Sequence, residues 1–416
     1  MWEKVRKFGL GYCDLPTMMW NVSVFLRLFT VNIDSKYKKG IPIFVYVAVT
    51  LSSICYYYIY LFSMLWFVFV ICPQTGQTLE AMWALSLGVP SEIGTLRLFY
   101  MKLQMQFCSR DQIRSLTDDL LEFDSKTLPD HRRSRNVLKH LRDVKKRAIV
   151  LWLVIVGTGF MFIIKHFIAP EHLTDDTFAP YGFGSMEESP NYEIVAAMMA
   201  VCVTFINGFS GNMTAYIIII TGYVEAQMLA VSHELENIWK DAQDHFRTTR
   251  NLEIEINKDE AKKQRILNQY VSDRLKVIIA QHATLKQFYL KVRDVLKGFL
   301  GIAFFVLIAG LLFNLLGGLR NTYMHLPFVF LQIAMDCFIG QRMKDAGIVF
   351  SRAVYACGWE NFDKNNMRMV LIMLQNSQRI TVLSAGSFVN VNYKCLMATI
   401  KGSYSSYTTF ESSVNK

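Results

Sequence analysis

Long apolar blocks alternate with charged stretches along this chain, and the blocks have the length of membrane helices. Residues 41–72 contain no charged side chain, and the block exceeds the roughly 20 residues a helix needs to cross a bilayer. A Pro-Gln-Thr-Gly turn at 73–76 closes it. The second block, 79–107, is interrupted by Glu92, Arg97 and Lys102, so it is expected to sit among other helices. The third, 149–167, ends on Lys165 and His166, which can reach back to an interface. The fourth, 194–224, is uncharged, and its helical pattern continues towards Trp239. Helical periodicity starts at Ile266 and leads into the fifth block, 298–319; a tight turn at Arg320 and Asn321 then opens the sixth, 322–340. The seventh is 385–410. Residues 15–30 form a weakly amphipathic piece suited to an interface, and 242–263 read as a polar linker. No internal repeat is evident.

The seventh block is unlike the others. Asn390, Lys394, Lys401, Ser405 and Thr408 recur at helical spacing, while Phe388, Val391, Cys395, Met397 and Ile400 fall largely elsewhere. A membrane helix with one wet face lines water or a buried polar interface. It is therefore the candidate pore wall. The charged segment before it places Tyr355 and Trp359 one turn apart on one face.

Charge placement orients the chain. Segments 1–40, 109–147, 232–297 and 341–380 hold 7, 11, 13 and 6 Lys and Arg. The alternate connections, including the acidic 169–191, hold only Arg320. Positive segments stay cytoplasmic, so seven spans put the amino terminus inside and the carboxyl terminus outside. The fold class expected is all-α and polytopic, inverted relative to G-protein-coupled receptors. The organisation expected is a cytoplasmic segment 1–40, four spans within 41–230, cytoplasmic parts 231–297 and 342–384 flanking spans five and six in 298–341, and a last span within 385–416.

Composition agrees with a membrane protein: 52% of the 416 residues are hydrophobic and 19% charged, with 30 Phe and 19 Tyr. The net charge of +10 does not point to nucleic acid, because the basic residues lie between apolar blocks. The eight cysteines include no CxxC pair, which argues against a disulfide framework or a zinc site. The first apolar run is too long for a signal peptide. The eight histidines are scattered, with no HExxH, and neither GxSxG nor a phosphate-binding glycine loop occurs. No enzyme and no cofactor is expected. His325 reads as an outer-interface residue, Glu225 and Gln227 as polar contacts, and Asp336 as a partner of Arg342 or Lys344. The Asn21-Val-Ser and Asn212-Met-Thr sequons fall where no glycosylation is expected.

Three stretches carry a resemblance: AVYACGW at 353–359, MLQNSQ at 373–378 and IKGSYSSYTTF at 400–410. With the length, span order and orientation, they make the carboxyl-terminal third similar to the insect odorant receptor family. The remaining two-thirds match in layout. Gustatory receptors end in a TYxxxxxQF-like motif, whereas Tyr407 here is followed by TTFESSVNK without QF. The second cytoplasmic loop lacks room for the insertion of the family's coreceptor, so the chain resembles an odorant-tuning subunit. A gustatory-type channel and a secondary transporter are the alternatives, although the latter would be expected to carry inverted repeats.

The resemblance implies a tetrameric, odorant-gated, non-selective cation channel in the plasma membrane of olfactory sensory neurons, built with an olfactory coreceptor subunit. It implies a pore along the last helix, narrowing near Phe410 and Val414, with Ser406 and Thr409 beside them. It also implies a cytoplasmic anchor, where Tyr355 and Trp359 either meet a neighbouring subunit or pack within their own. Lys394 and Lys401 either face the conduit, where a lysine would repel cations, or, as the favoured reading has it, reach the anchor and a neighbouring subunit. A small volatile ligand would bind in the outer half of the bundle. The matching helices offer Leu85 and Val89, Gly157 and Met161, Met198, Cys202 and Phe205, and Tyr323 and Leu326. Each set keeps one helix face, and apolar burial would supply most of the affinity.

Overall fold

The computed structural model describes residues 6–34, 40–106, 112–126, 132–168, 178, 180–183, 189–250, 260–318, 322, 325–379 and 382–414. Among these the architecture is helical apart from one two-residue hairpin. In chain order the helices are α1 (Leu15–Arg27), α2 (Ile43–Thr75), α3 (Thr78–Gln106), α4 (Gln112–Ser125), α5 (Arg132–Ile168) and α6 (Asn191–Glu236). There follow α7 (Ile238–Arg250), α8 (Glu260–Leu316), α9 (Leu326–Tyr355), α10 (Lys364–Ser377) and α11 (Tyr393–Val414). Helices α2, α5, α6 and α8 are long and apolar enough to cross a membrane.

Local chemistry sets several boundaries. Asp14 caps α1 by accepting from the Thr17 amide, with Pro16 in the first turn, where a missing N–H costs nothing. Gly76, at φ 74°, takes the left-handed conformation that ends α2. Within α2, Tyr57–Ser63 and Phe67–Ile71 are π-helical, an irregularity that turns side chains onto a new face and recurs at functional sites.

The bundle is organised around α6. Every residue from 209 to 228 is buried, as expected of a helix that is apolar on all sides. It packs most extensively on α5 and α9, and also touches α1, α2, α3 and α8; α3 lies along α8. Close approach needs small residues, because lipid supplies no hydrophobic drive between helices. A Cβ at Gly222 would lie 2.5 Å from Cγ1 of Val144, and one at Gly310 would lie 2.4 Å from Cγ of Pro90.

Charge is gathered at one end. Glu225 on α6 accepts from Arg147 on α5 at 3.2 and 3.3 Å and from Arg342 on α9. Glu234 accepts from Arg132 at 2.8 Å and from Arg274 at 2.7 Å. Lys145, buried on α5, donates to the carbonyls of Lys7, Gly9 and Tyr12. The basic segments of the sequence thus meet in space.

Four expectations change. The last helix begins at Tyr393, not near 385, because Gly386 and Ser387, at φ 58° and 71°, turn residues 384–390 into a hairpin. That hairpin is held by the Gly386 amide donating to the Lys297 carbonyl at 2.9 Å, and Asn390 lies in it rather than on the helical stripe. The linker from 242 is helical as far as Arg250. Helix α1 is no loose interfacial piece, for Leu15, Met18 and Leu26 are buried in the bundle. Asp336 pairs not with Arg342 or Lys344 but with Arg97 of α3, at 3.3 Å, and both are almost wholly buried. Spacing along one helix cannot reveal a partner on another.

Gln332, one turn from Asp336, accepts from Arg97 at 3.1 Å. Removing one member of a buried pair strands the other charge, at a cost of about 3–5 kcal/mol. Arg97→Leu should therefore lower the thermal stability and surface delivery of the chain, and Arg97→Leu with Asp336→Leu should recover much of the loss. Equal defects in single and double variants would show that the pair does not join α3 to α9.

Candidate functional site

Helices α2, α3, α5, α6 and α9 line a cavity of about 90 Å³. Tyr60, from the first π segment of α2, faces it. Helix α3 contributes Ser86, Leu87, Pro90 and Ser91, and α5 contributes Thr158, Gly159 and Phe162. Val203, Ile206 and Asn207 come from α6; His325, Phe328 and Val329 come from the start of α9. The wall is mainly apolar with a few polar groups, as small-molecule sites are. Most hydroxyls serve their own helix: Ser86 donates to the Trp83 carbonyl at 2.7 Å, Ser91 to Gly88 at 2.6 Å and Thr158 to Ile155 at 2.8 Å. The Tyr60 hydroxyl donates across to Met199 Sδ of α6 at 3.5 Å, and Asn207 and His325 supply the remaining polarity, with the His325 ring centroid 5.6 Å from that of Phe162.

The positions expected from sequence lie on neighbouring faces of these helices. Leu85 and Val89 are half-buried beside the lining residues of α3. Gly157 faces open space and Met161 is 61% exposed, both on the outside of α5. Met198 and Cys202 turn towards α2: Cys55 donates its thiol to the Met198 carbonyl at 3.7 Å, and the Cys55 and Cys202 sulfurs are 3.6 Å apart. Phe205 packs on Phe29, with ring centroids 5.9 Å apart. Leu326 is half-buried next to His325, and Tyr323 lies outside the described residues. Lipid-facing and bundle-facing sides of such helices are equally apolar, so periodicity alone does not tell them apart. The usable signal is small or polar residues, here Ser86, Ser91, Thr158, Gly159 and Asn207.

Helix α11 is exposed over most of its perimeter. Lys394, Lys401, Ser405, Ser406, Thr408, Thr409 and Phe410 are all exposed, whereas Cys395 and Ser403 are buried. The helix at Val414 is described but its side chain is not. α11 joins the bundle at its start: the Tyr393 amide donates to Gln341 of α9 at 3.4 Å, and a Cβ at Gly340 of α9 would lie 2.0 Å from the Val391 carbonyl oxygen. Glycine is the residue that lets α9 and this segment touch.

At the charge-rich end, Trp239 packs on Phe362, with ring centroids 5.8 Å apart. Asn268 of α8 accepts from the Asp363 amide at 2.9 Å, while its carbonyl accepts from Asn366 of α10 at the same distance. These bonds tie the 231–297 and 342–384 segments together. Tyr355 and Trp359 contact each other at 6.5 Å and remain 65% and 37% exposed. Leu371 and Ile372 are also exposed, at 55% and 59%.

A family model described as 7tm Odorant receptor matches residues 77–404. The chain belongs to the 7tm odorant receptor family. No curated protein matches the sequence. Among solved structures it is similar to the insect olfactory receptor OR5 from Machilis hrabei, with a TM-score of 0.70, 12% identity, and 95% of this chain and 98% of that one covered. The same receptor in complex with eugenol gives 0.67 at 12% identity, over 95% and 97%. At that identity the likeness establishes the fold. The chain is an odorant receptor of the membrane, and its family is one of receptors rather than enzymes.

The charge-rich end of α8 also contains a titrating group. His282 stacks on Phe350 at 4.2 Å, and burial together with Lys286 pushes it down to about 4. An unfolded histidine titrates near 6.5, so the folded state holds fewer protons between the two values. Its contribution is complete above about pH 6.5 and is lost as pH falls towards 4. The loss amounts to about 3 kcal/mol at most. Melting of the purified chain should weaken across this window, and His282→Phe should flatten the dependence; an unchanged slope would remove His282 as its source.

Proposed function

We propose that this chain is the odorant-tuning subunit of a ligand-gated, non-selective cation channel assembled with an olfactory coreceptor, and that its ligand is a small apolar volatile. The observation that carries this is the cavity between α2, α3, α5, α6 and α9, whose few polar groups suit a molecule with little hydrogen-bonding capacity. Its modest volume favours a compact ligand or one that widens the site on entry. The proposed site is made of these lining residues, and the positions expected from sequence lie on neighbouring faces of the same helices.

The proposed topology has seven spans, with α2, α3, α5, α6, α8, α9 and α11 crossing and the charge-rich end in the cytoplasm. The positive-inside rule supports it, since the segments holding 11, 13 and 6 Lys and Arg adjoin at that end. The long exposed perimeter of α11 supports a place in an assembly, with Ser406, Thr409, Phe410 and Val414 towards the conduit. A ring of apolar side chains can shut such a conduit by excluding water. The exposed Tyr355, Trp359, Leu371 and Ile372 supply apolar surface for contact between subunits. Their exposure favours that role over packing within one subunit.

The route from ligand to gate runs along α9. His325, Phe328 and Val329 meet the cavity, Gln332 and Asp336 hold Arg97, and Gly340 touches Val391 just before α11. A ligand that fits better when α9 has moved biases the gate by that difference in affinity. Whole-cell current should appear when a volatile panel meets cells expressing the chain with an insect olfactory coreceptor, and should persist when G-protein signalling is blocked. Current from the chain alone would replace the heteromer with a self-sufficient channel. Val203→Trp, which fills the cavity, should raise the effective ligand concentration at least about tenfold with normal surface delivery, the scale of losing one well-packed apolar contact. Phe410→Ala should raise the current without ligand, and an unchanged resting current would take Phe410 out of the gate.

A further inference from the structure

A second and larger cavity, of about 330 Å³, lies nearer the charge-rich end, where α1 packs against α5 and α6. Its wall is almost entirely apolar, with Met18, Val22, Phe25, Ile149 and Leu153 among the lining residues. It falls within the roughly 300–1,000 Å³ range of small-molecule sites. The odorant cavity shares no lining residue with it.

Its polar atoms define the occupant. Asn21 of α1 lines the cavity and is 8% exposed. Its amide nitrogen donates to the Lys7 carbonyl at 3.0 Å, but its Oδ1 is buried without a partner among the described residues. An unmet buried acceptor carries a desolvation cost that a ligand donor removes. Lys145 also lines the cavity, yet its ammonium spends its three N–H donors on the carbonyls of Lys7, Gly9 and Tyr12. It has none left for a carboxylate or phosphate. The Trp152 indole donates to Asn212 Oδ1 at 2.9 Å, so that donor is satisfied too. The vacancy is for one donor on a neutral, apolar body.

Access is from the side. On α5, Val150, Leu153 and Val154 are 49%, 56% and 40% exposed, forming an apolar flank continuous with the cavity wall. A solute dissolved in lipid could enter there without crossing water.

We infer that the cavity between α1, α5 and α6 is a binding site for a neutral, singly hydroxylated lipophile that reaches it through the bilayer and donates its hydroxyl to Asn21 Oδ1. Such a molecule links α1 to the two helices that flank it.

The test uses the full chain, co-assembled with its coreceptor in lipid nanodiscs, and a decanol carrying a photoreactive diazirine. Mass spectrometry should locate labelling within 18–25 or 148–153, with unlabelled 1-decanol competing and decane and decanoate competing far less. Asn21→Leu should weaken capture about tenfold, the effect of one hydrogen bond to a buried acceptor. Val22→Trp, which fills the space without touching Asn21, should abolish it. Val203→Trp in the odorant cavity should leave labelling unchanged, so failure here is separable from failure of the odorant reading. Labelling indifferent to both Asn21→Leu and Val22→Trp, equal competition by decane, or loss with Val203→Trp would overturn the proposal.

Discussion

A charge in a low-dielectric bundle has to find its counter-charge inside, and this chain meets that constraint by letting ion pairs choose which helices touch. Arg97 cannot face lipid, so α3 turns inward until it reaches Gln332 and Asp336 on α9. Glu225 performs the same service for α5, α6 and α9 through Arg147 and Arg342. Packing supplies the remaining order, with glycines such as Gly222 and Gly310 letting backbones close to van der Waals contact. Without the pairs, several apolar helices could rotate with little change in energy, since lipid and protein interior are equally apolar. The pairs therefore fix rotation as well as position.

Helix α9 consequently serves three tasks. Its first turns meet the cavity, its middle holds Arg97, and Gly340 touches the segment leading into α11. Moving any one of these contacts disturbs the others, which is what a ligand-driven device requires. Above, the cavity offers apolar surface for affinity and only a few polar groups for discrimination. At the other end, the Asn268–Asn366 contacts and the ion pairs of Glu234 brace the charge-rich part of the bundle, so that movement at the cavity has something to work against.

Much of this organisation was legible in the sequence. The apolar blocks located α2 and α3 to within a few residues, whereas α5 starts at Arg132, well before its block, and α9 runs on to Tyr355, because both helices continue into charged sequence. The interruptions at Glu92, Arg97 and Lys102 pointed to a helix packed inside the bundle. The start of α11 was misread, because a glycine and serine at positive φ leave no trace in hydropathy. The partner of Asp336 was misread, because the local Arg342 and Lys344 were the visible choices while Arg97 is remote in sequence. The cavity wall lay one helical face away from the residues first singled out. Leu85, Val89, Gly157 and Met161 are as apolar as a lining residue should be, but a lipid-facing residue is equally so. Ser91, Thr158 and Asn207 mark the inward side because a polar group facing hydrocarbon is costly. His325, read from the sequence as an outer-interface residue, is placed at the cavity by the fold.

The proposed gating depends on ligand occupying the cavity next to α9 and being felt at α11. The most direct measurement is a structure of the assembled complex with the volatile that evokes the largest current. Ligand density is expected between Pro90, Thr158, Asn207 and Val329, with α9 displaced and the Gly340–Val391 contact altered relative to the ligand-free complex. Density elsewhere, or density in the cavity with α9 and α11 unmoved while the pore is open, would contradict it.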